Sequence, residues 1–202
     1  MAKGVLESSD QMSPESQQAF IVEQLTKGMM TAMPVVVVAV NDPDNELIDV
    51  KPALSQQSAN GDSVEHNVIY NVPVARLQRG NSAVIMRPVV GDKGLVVFSS
   101  QDISIFKKIK NFCKVGTSRR HDWADAVYVI GLCNTTPTQY IEFTDGGINI
   151  VSPTLVNIVS PLVTIAGNIE TTGTIKNNGH QVGSVHTHGG VQTGSGTTGV
   201  VS

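Results

Sequence analysis

The 202-residue chain carries 17 acidic and 14 basic residues, a net charge of −3, with only 4% aromatic and 15% charged residues. That balance leaves no basic footprint for a nucleic-acid-binding protein. A chain this rich in Val, Ile, Thr, Ser, Gly and Asn favours strands and turns over helices. The opening MAKGVLESSDQMS lacks the apolar core of a secretory signal. The longest apolar run, Ala32–Val40, is interrupted by Pro34 and is too short to cross a bilayer, so a soluble chain without an export signal is expected. Cys113 and Cys133 read as reduced, buried, small apolar residues and not as a disulfide.

Ser13-Pro14-Glu15-Ser16 predicts a helix start, with Ser at the N-cap, Pro at the first helical position and an acid in the first turn. Phe20, Ile21, Leu25, Met29 and Met33 then fall near one face, and Pro34 ends the element. This face either packs on its own domain or docks onto a neighbouring subunit or hub. Residues 1–33 form this N-terminal helical segment.

From Pro34 onward the pattern is of short strands between turn residues. Residues 35–40 form one strand, ended by the turn cluster Asn41-Asp42-Pro43-Asp44-Asn45. Leu47, Asp49 and Lys51 alternate with Ile48, Val50 and Pro52 in a half-buried strand. Residues 68–77 and 83–88 follow, then the turn Gly91-Asp92-Lys93-Gly94 leads into residues 95–98, and residues 128–130 close the set. Five or so antiparallel strands across residues 34–138 predict a small closed barrel of oligonucleotide/oligosaccharide-binding (OB) type. The topology alone does not imply nucleic-acid binding, and the strands lack Arg or Lys interleaved with aromatics.

Residues 139–180 behave differently. Asn-Ile-Val-Ser-Pro occurs at 149–153 and again at 157–161, and apolar residues alternate through Ile148, Ile150, Val156, Ile158, Val163, Ile165 and Ile169. The Ser-Pro corners predict strands that advance without reversing, with no hairpin partner in one chain. Such strands become stable when three copies intertwine as a β-helix around an Ile/Val column, with Pro153 and Pro161 at corners where no ladder donor is needed.

Residues 181–202 are the apex, and no Asp, Glu, Lys or Arg follows Lys176. In an extended strand His186 and His188 point the same way. Two imidazoles are too few for a closed metal site, whereas three chains on a common axis offer six, which suits Fe or Ni better than four-coordinate Zn. His180 is not assigned as a ligand. His121, near Asp122, Asp125, Arg119 and Arg120, reads as part of a salt-bridged surface loop. No G-x-S-x-G elbow, Walker A loop or complete EF-hand is present. Asp145-Gly146-Gly147 reads as a turn, and no enzymatic activity is expected.

Three stretches, Ser82-Ala83-Val84-Ile85-Met86-Arg87-Pro88-Val89-Val90-Gly91-Asp92-Lys93-Gly94-Leu95-Val96-Val97-Phe98, Ser118-Arg119-Arg120-His121-Asp122-Trp123-Ala124-Asp125-Ala126 and the terminal His186-Thr187-His188-Gly189-Gly190, resemble the central spike proteins of contractile-tailed bacteriophages. The resemblance covers about residues 34–202. It implies an all-β homotrimer: an OB-type barrel, a triple-stranded β-helix and a metal-binding apex, with one ion per trimer, iron being favoured. It further implies a virion protein, assembled in the host cytoplasm, at the distal tip of the tail baseplate. There it would sit on a hub protein and pierce the host outer membrane when the tail contracts. The span from Cys133 to Tyr140 is too short for the lysozyme domain that some relatives insert. The competing readings are a trimeric adhesin or fibre binding a host surface, the spike of a related contractile injection system, and a barrel that binds nucleic acid.

Overall fold

The computed structural model describes residues 13–42, 47–58, 60–183 and Gly194. The chain divides into two units, residues 1–137 and 138–202, and the fold is mostly β.

In the first unit, helix α1 (Pro14–Lys27) begins as the sequence predicts: the Ser13 hydroxyl accepts the Ser16 N–H at 3.3 Å, with Pro14 at the first position. It ends earlier than predicted. Gly28 caps it, and Met33 and Pro34 belong to strand β1 (Ala32–Val40) instead. The residue before a proline is pushed toward extended backbone, so Met33 is a poor helical residue. The β-branched run that follows draws it into the sheet. Of the two readings of its apolar face, packing on its own domain is not seen: Phe20, Ile21 and Leu25 are 44%, 56% and 68% accessible.

Strand β2 (Leu47–Pro52) alternates as its sequence demands, with Ile48, Val50 and Pro52 buried and Leu47, Asp49 and Lys51 half-buried. The short strands β3 (Gln56–Gln57) and β4 (Ser63–Val64) form a hairpin, followed by β5 (Ile69–Pro73). β6 (Leu77–Arg79) and β7 (Ser82–Val84) form a second hairpin. The strand predicted over 83–88 therefore stops at Val84, and the 91–94 turn leads into β8 (Lys93–Phe98). Before β9 (Ala126–Gly131), the chain makes a short helix α2 (Ser104–Ile109) and a single 3-10 turn at Trp123–Asp125.

Five strands make one antiparallel sheet in the order β5-β2-β1-β8-β9. Register shifts in three of its four pairings, between Val37 and Ala39, Ile48 and Val50, and Leu95 and Val96, add twist and curl the sheet into a half-barrel. Its two edges meet at one parallel bridge, Val74 to Tyr128, where the Ala75 N–H donates to the Tyr128 carbonyl at 2.8 Å. Inside lie Val35, Val37, Ile48, Val50, Val72 and Val96, with Phe98 and Tyr128 as the large fillers. The Tyr128 ring lies over Gly94, where any Cβ would collide with it.

The second unit contains a hairpin of β10 (Tyr140–Thr144) and β11 (Gly147–Val151), turning at Asp145-Gly146. This corrects the expectation of strands without a hairpin partner: Ile148 faces Phe143 and Ile150 faces Ile141 in register. A further short hairpin joins β12 (Lys176–Asn177) to β13 (His180–Gln181) through Asn178-Gly179, both at positive φ. Asn-Gly is the sequence best suited to such a turn. Between Val151 and Lys176 the described residues form no strand, including the second Asn-Ile-Val-Ser-Pro copy.

Candidate functional site

The predicted metal ligands His186 and His188 lie outside the described residues. His180 is described: it opens β13 opposite Asn177 and is exposed. Among the described residues, no three His, Cys, Asp or Glu side chains gather closely enough to hold a metal ion.

The segment around His121 is more deeply built than a surface loop. Arg119 lies between two carboxylates whose side chains are wholly buried. Its Nε donates to Asp125 Oδ2 at 2.8 Å, and its Nη2 reaches Asp125 Oδ1 at 2.7 Å and Asp102 Oδ1 at 3.0 Å. Asp125 also accepts the Ile103 N–H at 3.0 Å. Asp102 accepts the Ser104 N–H and the Thr117 hydroxyl, each at 2.8 Å. Hydrogen bonds from Ser104 hold the Asp102 carboxyl down at about 2, with Thr117 and Arg119 adding to the effect. For Asp125, burial opposes ionisation but the Arg119 and Ile103 donors outweigh it, leaving its pKa below the ordinary value. Both groups therefore stay ionised near neutral pH, and neither is poised to exchange a proton. They fasten the long β8–β9 connection to the end of the sheet. The predicted ion pairing is present, but buried. His121 takes a separate role: its Nδ1 lies 3.1 Å from the Met30 carbonyl, beside the start of β1. Trp123 packs edge-on against Phe98, with centroids 5.6 Å apart, and His66 sits 4.8 Å from it.

Cys113 and Cys133 are free and exposed, which corrects their assignment to the core. Both fall outside the sheet, one after α2 and the other after β9, where no strand alternation turns them inward. Sequence reasoning also missed α2 and the charge beside it. Residues 104–120 contain six of the fourteen basic residues and no acid. That run is a readable charge pattern.

The second unit presents another kind of surface. No described residue between 138 and 183 is buried. Phe143, Ile148, Ile150, Ile158, Leu162 and Ile169 are between 61% and 78% exposed. A lone two-stranded hairpin is marginal in water, and so many exposed large apolar side chains are uncommon on a monomer.

Residues 33–131 match the family model described as the phage protein Gp138 N-terminal domain, just under half of the chain. No curated protein matches the chain. The match covers the curled sheet and its β8–β9 connection, and it supports a phage structural protein associated with the virion.

Proposed function

We propose that this chain forms the central spike at the tip of a contractile phage tail, a homotrimer that pierces the host outer membrane as the tail contracts. The observation that carries this reading is the second unit's lack of any buried described residue beside a long series of exposed Ile, Leu, Val and Phe. Three copies wound together would remove these side chains from water, each contributing about 1.5–3 kcal/mol when fully buried. They would also give the backbone between Val151 and Lys176, which forms no strand in the single chain, neighbouring strands to pair with. A rod stiffened by pairing between chains can transmit load along its length.

The first unit fits an OB-type barrel that joins this needle to a baseplate hub. Its strand order and its single parallel closure between β5 and β9 suit that topology. The exposed apolar side chains of α1 suit a docking role on the hub. At the apex, His186 and His188 supply two imidazoles per chain, and three chains supply six, a donor set suited to iron. The metal would join three chain ends where the load is greatest, a structural role without catalysis. The absence of charged residues after Lys176 lowers the desolvation cost of entering a bilayer.

Sedimentation of the purified protein with metal analysis tests the reading. A species of three times 21.4 kDa carrying one iron is expected; a monomer without metal overturns it.

A further inference from the structure

Two independent features meet at α2. The first is a cavity of about 540 Å³ beneath the helix, within the size range of small-molecule sites. Its apolar walls include Leu47, Val74, Ile103, Phe106 and Val127, and its ionisable lining is wholly cationic: Arg76, Lys107 and Lys110. The Lys107 ammonium is held in place by the Ala124 carbonyl at 2.9 Å. The second feature is the outer surface just beyond. Phe112 is fully exposed, and Phe106, Ile109 and Val115 are each more than half exposed. Lys108, Lys114 and Arg120 are exposed along the same segment, and no acid occurs between Asp102 and Asp122. Outside residues 104–120 the chain has eight basic residues against seventeen acids, so the positive charge is concentrated here.

We propose that α2, the segment after it and the cavity beneath Phe106 form a binding site for anionic lipid at a membrane surface. The lysines meet the phosphate headgroups, Phe112 enters the headgroup–acyl boundary, and the cavity accepts an acyl chain. Two observations favour lipid over a polynucleotide. Aliphatic Ile109 and Val115 stand beside the aromatics and offer no ring for base stacking. Most of the cavity's lining residues are apolar, which suits a hydrocarbon tail better than a phosphate or a base. The inference rests on the first unit alone and does not depend on the trimeric needle.

Flotation of the full-length protein with phosphatidylcholine vesicles, with and without phosphatidylglycerol, tests it. Binding only to the anionic vesicles is expected. Lys108→Glu with Lys114→Glu should lower that binding at least about tenfold, since each basic residue near an anionic surface contributes roughly fivefold. Phe112→Ser and the cavity-filling Ala75→Phe should each weaken it several-fold, with Trp123 fluorescence reporting an intact first unit. Equal binding by wild type and the charge-reversed variant overturns the site. So does full retention in Ala75→Phe together with complete competition by inorganic phosphate, which would leave only an ion-binding cluster. Tighter binding to a single-stranded oligonucleotide than to anionic vesicles at the same salt also overturns it.

Discussion

Replacing Arg119 by Ala removes the guanidinium that is ion-paired with two carboxylates whose side chains have no solvent exposure. Asp125 loses the donors at 2.7 and 2.8 Å and keeps the Ile103 N–H; Asp102 keeps Ser104 and Thr117. Breaking a buried pair by deleting one partner costs about 3–5 kcal/mol. The Arg119 side chain is 31% exposed, so water can reach part of the site, and about 3 kcal/mol is the expected loss. With a urea slope of about 1–3 kcal/mol/M, the midpoint should fall by roughly 1–3 M. Trp123 is the only tryptophan and packs on Phe98 of the sheet, so its fluorescence follows the first unit specifically. The pH dependence adds a sign. Both native carboxylates titrate below their unfolded value, so their stabilisation is present above about pH 4 and is lost as pH falls below it, for Asp102 through about 2. In the variant, Asp125 keeps the Ile103 N–H and the nearby Lys107 charge but loses both guanidinium donors, so burial is expected to push it the other way, destabilising the fold as pH rises. The gap between variant and wild type should therefore narrow from about pH 6 to about pH 3. An added Asp125→Asn should restore part of the loss by removing the stranded charge. A variant midpoint equal to wild type across this range would refute the reasoning.

Three further outcomes are expected. Replacing His186 and His188 together by Ala should abolish bound metal, measured by elemental analysis, and leave a trimer by sedimentation. Ile158→Asp should prevent trimer formation. Ile158 is 70% exposed in the single chain, so the change is harmless there and damaging only if neighbouring chains bury it. Removing residues 1–28 should leave a folded trimer that fails to join tails. The cut stops before Met30 because that residue packs on the core and meets His121. Loss of the Trp123 unfolding transition after this deletion would place α1 in the fold of the first unit.

The first unit was legible where one local rule sufficed. The alternation of Leu47 through Pro52 fixes which face is buried, Ser13-Pro14 fixes a helix start, and Gly91 at φ 95° belongs to the turn predicted there. Legibility failed where a residue's role depends on distant partners. Pro34 reads as a helix stop, yet a proline also suits a strand position that needs no ladder donor. Asp102 and Arg119 are seventeen residues apart, and nothing between them announces that the chain returns to join them. The α2 segment has mixed apolar and basic residues with no clean period, and both cysteines fall in such irregular stretches.

The second unit differs in a more basic way. Ordering a residue costs roughly 1–2 kcal/mol of backbone entropy, and burial of apolar surface is the main term that offsets it. In the first unit Val35, Ile48, Val50 and Val96 are at most 1% exposed and supply that term within one chain. Between Tyr140 and Gln181 no described side chain is buried, although the Ile, Leu and Val content resembles that of a core. In the proposed assembly such a surface would be completed from outside. The apolar residues run on over some thirty positions at short spacing, whereas a site for a compact ligand would be confined to one patch. In the proposed homotrimer, a partner presenting the same spacing along its whole length would match that surface, and further copies of this chain would supply it at the local concentration of their own assembly. The polar Ser, Thr and Asn between the apolar positions would then fall on the outer face, so that winding copies together would bury one stripe without stranding polar groups.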